Sequence, residues 1–159
     1  MKNVVSILLV FIAFSCGYTR KPSNEKVQPG ALVADTIIYD VVIHNPNPED
    51  QWTTECLKDL KHRALIDSLF ALVYEGKMKA YDFFSKEVIK NKDVKKMESE
   101  NGFSRDHIGK IQFTERWSFD KNSQKFQKEV LSLVLGYELF NQDGSLRGYK
   151  PVFKIYLKH

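Results

Sequence analysis

The last third of the chain alternates apolar and polar residues with a period of two, the mark of strands with one buried face. From Ile111 to Asp120 the odd positions are Ile111, Phe113, Trp117 and Phe119, and the even ones are all polar. Glu115 is the one break in the apolar series. Residues 121–124 read as a turn. A second strand is expected over 125–140, with Leu131, Leu133, Leu135 and Tyr137 facing one way and Val130 and Val134 the other. Asn141-Gln142-Asp143-Gly144 is a strong turn signal, with Gly144 supplying a positive φ. A third strand is expected over 146–158, with Tyr149, Pro151, Phe153, Ile155 and Leu157 on one face and Lys150, Lys154 and Lys158 on the other. Pro151 places it at a sheet edge or at a bulge, since proline cannot donate to a ladder. Two successive short connections make these strands an antiparallel meander.

Earlier in the chain, 36–44 reads as a strand with Ile37, Tyr39, Val41 and Ile43 on one face and Ile38 and Val42 on the other. With both faces partly apolar, it is expected inside the sheet. Asn45-Pro46-Asn47-Pro48 ends it. The period then changes to helical. Leu57, Leu60, Ala64, Leu65, Ile66, Leu69, Phe70 and Val73 predict one amphipathic helix over 54–75, with Gly76 just past its C-terminus. A second, charge-rich helix is expected over 85–97, its lysines forming a solvated face. Ser104 is placed to cap a short turn at 105–108. The expected class is α+β: an antiparallel sheet with a C-terminal three-stranded meander packed against one or two helices.

The N-terminus reads differently. Lys2 precedes a run, Val4 to Ala13, of ten residues with one polar member. That is too short for a bilayer span of about 20 residues and fits the apolar region of a secretory signal. Ala13-Phe14-Ser15-Cys16-Gly17 follows. A small residue immediately before a cysteine at this place looks like a bacterial lipoprotein cleavage site, of the looser Bacteroidetes form. The expected organisation is a signal peptide at 1–15, lipidation of Cys16, a flexible tether over 16–34, and a single α+β domain over 35–159. No acidic residue follows Gly17 in Tyr18-Thr19-Arg20-Lys21, which favours a periplasm-facing protein in a Gram-negative envelope. Cys56 is then the one remaining thiol, expected to be buried and inert.

The 159 residues carry 24 Lys+Arg against 20 Asp+Glu, a net charge of +4, with 13% aromatic residues. That charge is too mild, and the motifs are missing, for nucleic-acid binding. No motif of an esterase, zinc protease, nucleotide binder or EF-hand is present. His44, His62, His107 and His159 show no metal-ligand spacing, so neither a metal nor another cofactor is expected. Cys56 and His62, six residues apart on one helix, are turned about 120° from each other and do not meet. Asp120 and Asp143 are explained by their turns. Trp52 suits core packing or a partner contact equally. Trp117 lies on its strand's apolar face, where core packing is the expectation. Tyr156 shares the lysine-bearing face.

Two C-terminal stretches carry a family resemblance. Arg116-Trp117-Ser118-Phe119-Asp120-Lys121-Asn122, a long strand, and then Asp143-Gly144-Ser145-Leu146-Arg147-Gly148-Tyr149-Lys150-Pro151-Val152-Phe153 resemble the closing segment of GldN/PorN proteins. These are periplasmic components of the type IX secretion and gliding machinery of Bacteroidetes. The segment from Ala64 to Glu75, with Gly76-Lys77-Met78-Lys79-Ala80-Tyr81-Asp82 after it, is similar to an internal stretch of the same family. The resemblance covers roughly 36–157. It implies a non-enzymatic role in protein–protein assembly, here as a short, lipid-anchored relative. The expected partners are an envelope complex, including secretion-ring components, and the membrane through the N-terminal lipid. Lys150, Lys154 and Tyr156 are the candidate partner-binding residues, on the assumption that their strand is an edge. The rival readings are a free-standing lipoprotein that binds a small molecule or glycan in an aromatic pocket between helix and sheet, and a small hydrolase.

Overall fold

The computed structural model describes residues 30–100 and 102–157. The signal peptide, Cys16, His159 and Lys158 lie outside the described residues. The chain begins with β1 (Ala31–Val42), then α1 (Gln51–Leu57), α2 (His62–Tyr74), β2 (Ala80–Tyr81), β3 (Val88–Ile89) and α3 (Asn91–Ser99). A 3₁₀ turn at Arg105–His107 leads into β4 (Ile108–Asp120), β5 (Lys125–Phe140) and β6 (Leu146–Tyr156). The six strands form one sheet in the order β1-β4-β5-β6-β2-β3, antiparallel throughout. The α+β class and the β4–β5–β6 meander are as the alternation of residues implies.

The core forms where α2 lies on one face of the sheet. Ile66, Leu69, Phe70 and Val73 recur at i, i+3, i+4 and i+7, and all four are buried. They meet Ile108, Ile111, Leu133, Leu135, Phe153 and Ile155 from the strands. Phe70 packs edge-on against Phe153 at 5.1 Å between centroids. Each fully buried side chain of this size contributes about 1.5–3 kcal/mol of transfer free energy. Gly76 has φ +70° and its N–H bonds the Val73 carbonyl at 3.0 Å, which closes α2 with the left-handed residue expected there. Arg105 ties the 3₁₀ turn to both longer helices. Its guanidinium bonds Asp67 at 2.7 Å and Glu98 at 2.9 Å and stacks 4.4 Å over the Phe70 ring.

Several expectations are corrected. The helix over 54–75 is two helices. Asp50 accepts from the Thr53 N–H at 3.0 Å and starts α1 early, and the chain turns at 58–61 before α2. The turn holds no glycine or proline. A local bond from His62 N–H to the Leu60 carbonyl tightens it, and one tertiary contact, from the His62 ring Nε2 to the Ile108 carbonyl at 2.7 Å, holds it in place. Leu60 and Leu65 therefore fall outside the buried stripe and are exposed. Cys56, on a helix with no buried residue, is exposed rather than buried. The helix expected over 85–97 begins only at Asn91, because Val88–Ile89 pairs with β2. β1 starts at Ala31, inside the stretch expected to be tether, and lies at the edge of the sheet rather than within it.

Faces shift at bulges. Gly136 is opposite Pro151 while Val134 is opposite Lys154, so β6 carries one extra residue between them. Pro151 thus sits at a bulge, one of its two expected places. The bulge also splits the expected lysine face: Lys150 lies opposite Tyr137, on the helix side, and Lys154 lies opposite Val134, on the other.

Candidate functional site

The residues expected to bind a partner do not form one surface. Lys154 pairs with Val134 on one side and Tyr81 on the other, so at that point β6 is inside the sheet. Its Nζ lies 4.7 Å over the Tyr156 ring, and Tyr156 meets Tyr81 edge-on at 5.1 Å. Lys150 Nζ lies 5.5 Å over the Tyr137 ring. All three side chains are explained by lysine–aromatic packing within the sheet.

The long free edge belongs to β1. Two bulges between Leu32 and Ile37 each add a residue to β1 relative to β4. From Ile37 to Val42 the pairing with β4 is regular, and the opposite side of the strand has no partner strand among the described residues. Leu32, Val33, Ile38 and Val42 are all exposed, Ile38 at 61%. The two acids within this strand, Asp35 and Asp40, are both paired inside the chain. Arg116 Nε lies 3.3 Å from Asp35, and Lys110 Nζ lies 2.7 Å from Asp40. Lys110 holds the Asp40 carboxyl below its ordinary range. The edge thus presents backbone groups and aliphatic side chains with its charges internally matched. Such an edge is open to strand addition.

Two buried carboxyls stand near this strand. Glu115, 4% exposed, occupies the apolar face that it interrupts in the sequence. Tyr39 Oη donates to its Oε1 and Trp117 Nε1 to its Oε2, both at 2.8 Å. The hydrogen bond to Glu115 pushes the Tyr39 phenol up. Trp117 is half-buried and lies apart from the main core, beside Phe126 at 5.4 Å and under Lys128. Glu138, 1% exposed, lies at the other end of β5. His44 Nδ1 is 2.8 Å from its Oε1 and His107 Nδ1 is 3.4 Å from its Oε2. The bulge at Gly109 brings bare backbone against this carboxyl, and a Cβ there would stand 2.1 Å from Oε1. Tyr149 is pushed up by burial and by Glu138.

Three histidines therefore gather at one end of the sheet, with the His44 and His62 rings 5.7 Å apart. Their separation in the chain hid this from the sequence; the only signal was the break that Glu115 and Glu138 make in otherwise apolar strands. No group of three or more His, Cys, Asp or Glu side chains among the described residues is arranged to hold a metal. The Glu138 cluster orients imidazoles but carries no serine, threonine or cysteine in hydrogen-bond contact with them among the described residues. Asp120 and Asp143 cap their own turns, accepting from Asn122 N and Ser145 N at 2.9 Å. Trp52, on α1, is 77% exposed.

The cleft between α3 and the sheet, lined by Met97, Phe103, Tyr137 and Val152 among others, holds about 250 Å³, below the usual 300–1,000 Å³ of a small-molecule pocket. Two shallower clefts are larger: about 630 Å³ beside Met78, Tyr81, Tyr156 and Leu157, and about 800 Å³ beside Leu32, Arg116 and Lys128. No helix among the described residues is long and apolar enough to cross a membrane. No protein-family model matches the chain, and comparison with characterised proteins finds no match.

Proposed function

We propose that this chain is a non-enzymatic, lipid-anchored, periplasm-facing protein that serves as a structural or accessory component of an envelope complex of the type IX secretion and gliding kind. The observation that carries the reading is the regular edge of β1 from Ile37 to Val42, which has no partner strand on its outer side among the described residues, with Ile38 and Val42 exposed. The signal-like N-terminus with Cys16 supports the anchor, and the resemblance of 36–157 to GldN/PorN proteins supports the machinery. The edge assigned to Lys150, Lys154 and Tyr156 moves in this reading to β1, because Lys154 is paired on both sides. An incoming strand from a partner would add to β1 through backbone hydrogen bonds, with the exposed aliphatic side chains setting register.

The test is affinity capture of the tagged protein from its native envelope, with two variants. Ile38→Lys places a charge on the edge without touching the core. Cys16→Ala removes the lipidation site. Recovery of secretion-ring proteins by the unaltered chain, lost in both variants, is the expected result. Recovery of the membrane-bound protein alone would favour the free-standing binding module.

A further inference from the structure

The Tyr39–Glu115–Trp117 cluster has the composition of a site for an organic cation. Two aromatic rings hydrogen-bond the two oxygens of one carboxyl that is 4% exposed, each at 2.8 Å. Tyr39 is further supported by Phe113, stacked at 5.8 Å, and Trp117 by Phe126. Lys128 comes from β5, opposite Trp117. Its Nζ stands 4.6 Å from the Trp117 centroid and 5.9 Å from that of Tyr39. Both distances are within the roughly 6 Å over which a ring face attracts a cation. Lys128 is exposed, Phe126 is 50% exposed and Tyr39 and Trp117 are half-buried, so this side of the cluster lies at the protein surface. An ammonium ion above the two rings is attracted by their faces and by the carboxyl bonded at their edges.

We infer that this cluster is a binding site for an organic ammonium group, and that Lys128 is its resident cation, competing with any such ligand from outside. The assignment does not rest on the secretion-machinery reading. The lysine stem is flexible, so displacement costs its two cation–π contacts, with Trp117 and Tyr39, at an exposed site.

The full-length chain in non-ionic detergent, carrying Trp52→Phe so that Trp117 is the sole tryptophan, is titrated with choline chloride. Sodium chloride at matched ionic strength and the uncharged isostere 3,3-dimethylbutan-1-ol serve as controls. Trp117 fluorescence is the readout. Lys128→Ala is expected to show a saturable change at a concentration about five-fold lower than the chain with Lys128. The isostere is expected to give no saturable change. Lys128 lies on the surface, so its removal leaves the fold intact; urea denaturation verifies this. Equal response with and without Lys128, no saturable response in Lys128→Ala, or an equal response to the isostere would each overturn the assignment.

Discussion

Tyr39→Phe removes one oxygen and leaves the ring. The ring keeps its 5.8 Å stack on Phe113, and nothing in the backbone pairing of β1 depends on the hydroxyl. The change is thus confined to Glu115, which keeps Trp117 Nε1 and loses the donor on its other oxygen. Glu115 is 4% exposed, so water does not readily replace that donor. Leaving a buried carboxyl short of one hydrogen bond costs about 2 kcal/mol. For a domain of this size that corresponds to a fall in Tm of roughly 6–10 °C. The assay is urea and thermal denaturation of the full chain, with Glu115→Gln as the second corner of a double-mutant cycle. A coupling of about 1 kcal/mol or more is expected between the two positions. A Tyr39→Phe protein within about 0.5 kcal/mol of the parent would refute the reasoning, because surface substitutions alone reach that size.

Four further outcomes are expected. Gly109→Ala drives a Cβ to 2.1 Å from the buried Glu138 Oε1, so it should destabilise by at least ~1–3 kcal/mol in urea denaturation. Phe70→Ala empties the centre of the α2–sheet interface and should cost about 3–5 kcal/mol by the same measurement. Asp40, Asp67 and Asp106 are held below their ordinary ranges by Lys110, Arg105 and Arg63 respectively. Their folded forms release protons more readily than the unfolded chain, so their contribution is present above about pH 4 and is lost as pH falls further. Tm measured from pH 6 to pH 2 should therefore fall mainly below pH 4, and Asp40→Asn should remove part of that dependence. Exposed Cys56 should react with a maleimide in the folded Cys16→Ala protein without denaturant; protection until unfolding would contradict its position on α1.

Much of the fold was readable where one physical signal acted alone. The β4–β5–β6 meander follows from alternation and the Asn141–Gly144 turn, and the buried stripe of α2 from Ile66, Leu69, Phe70 and Val73. The sequence misled where tertiary contacts overrode local pattern. The break between α1 and α2 has no glycine or proline to mark it and depends on the His62 ring reaching the Ile108 carbonyl. Bulges in β1, β5 and β6 moved residues between faces, so a strict period of two wrongly grouped Lys150 with Lys154. The apolar residues on both faces of β1 suggested an interior strand, yet they belong to an exposed edge. Glu115 was visible as a break in the alternation. Its partners were not, since Tyr39 lies 76 positions away. Glu138 met His44 only through the bulge at Gly109, across 94 positions.

Photo-crosslinking from the β1 edge tests the central claim most directly. A photoreactive residue replaces Ile38 in the native envelope, with Lys92 on the exposed side of α3 as the comparison position. The account expects one discrete crosslinked product from Ile38, containing an envelope-complex protein, and no such product from Lys92. No product from Ile38, or the same product from both positions, would contradict docking through the edge of β1.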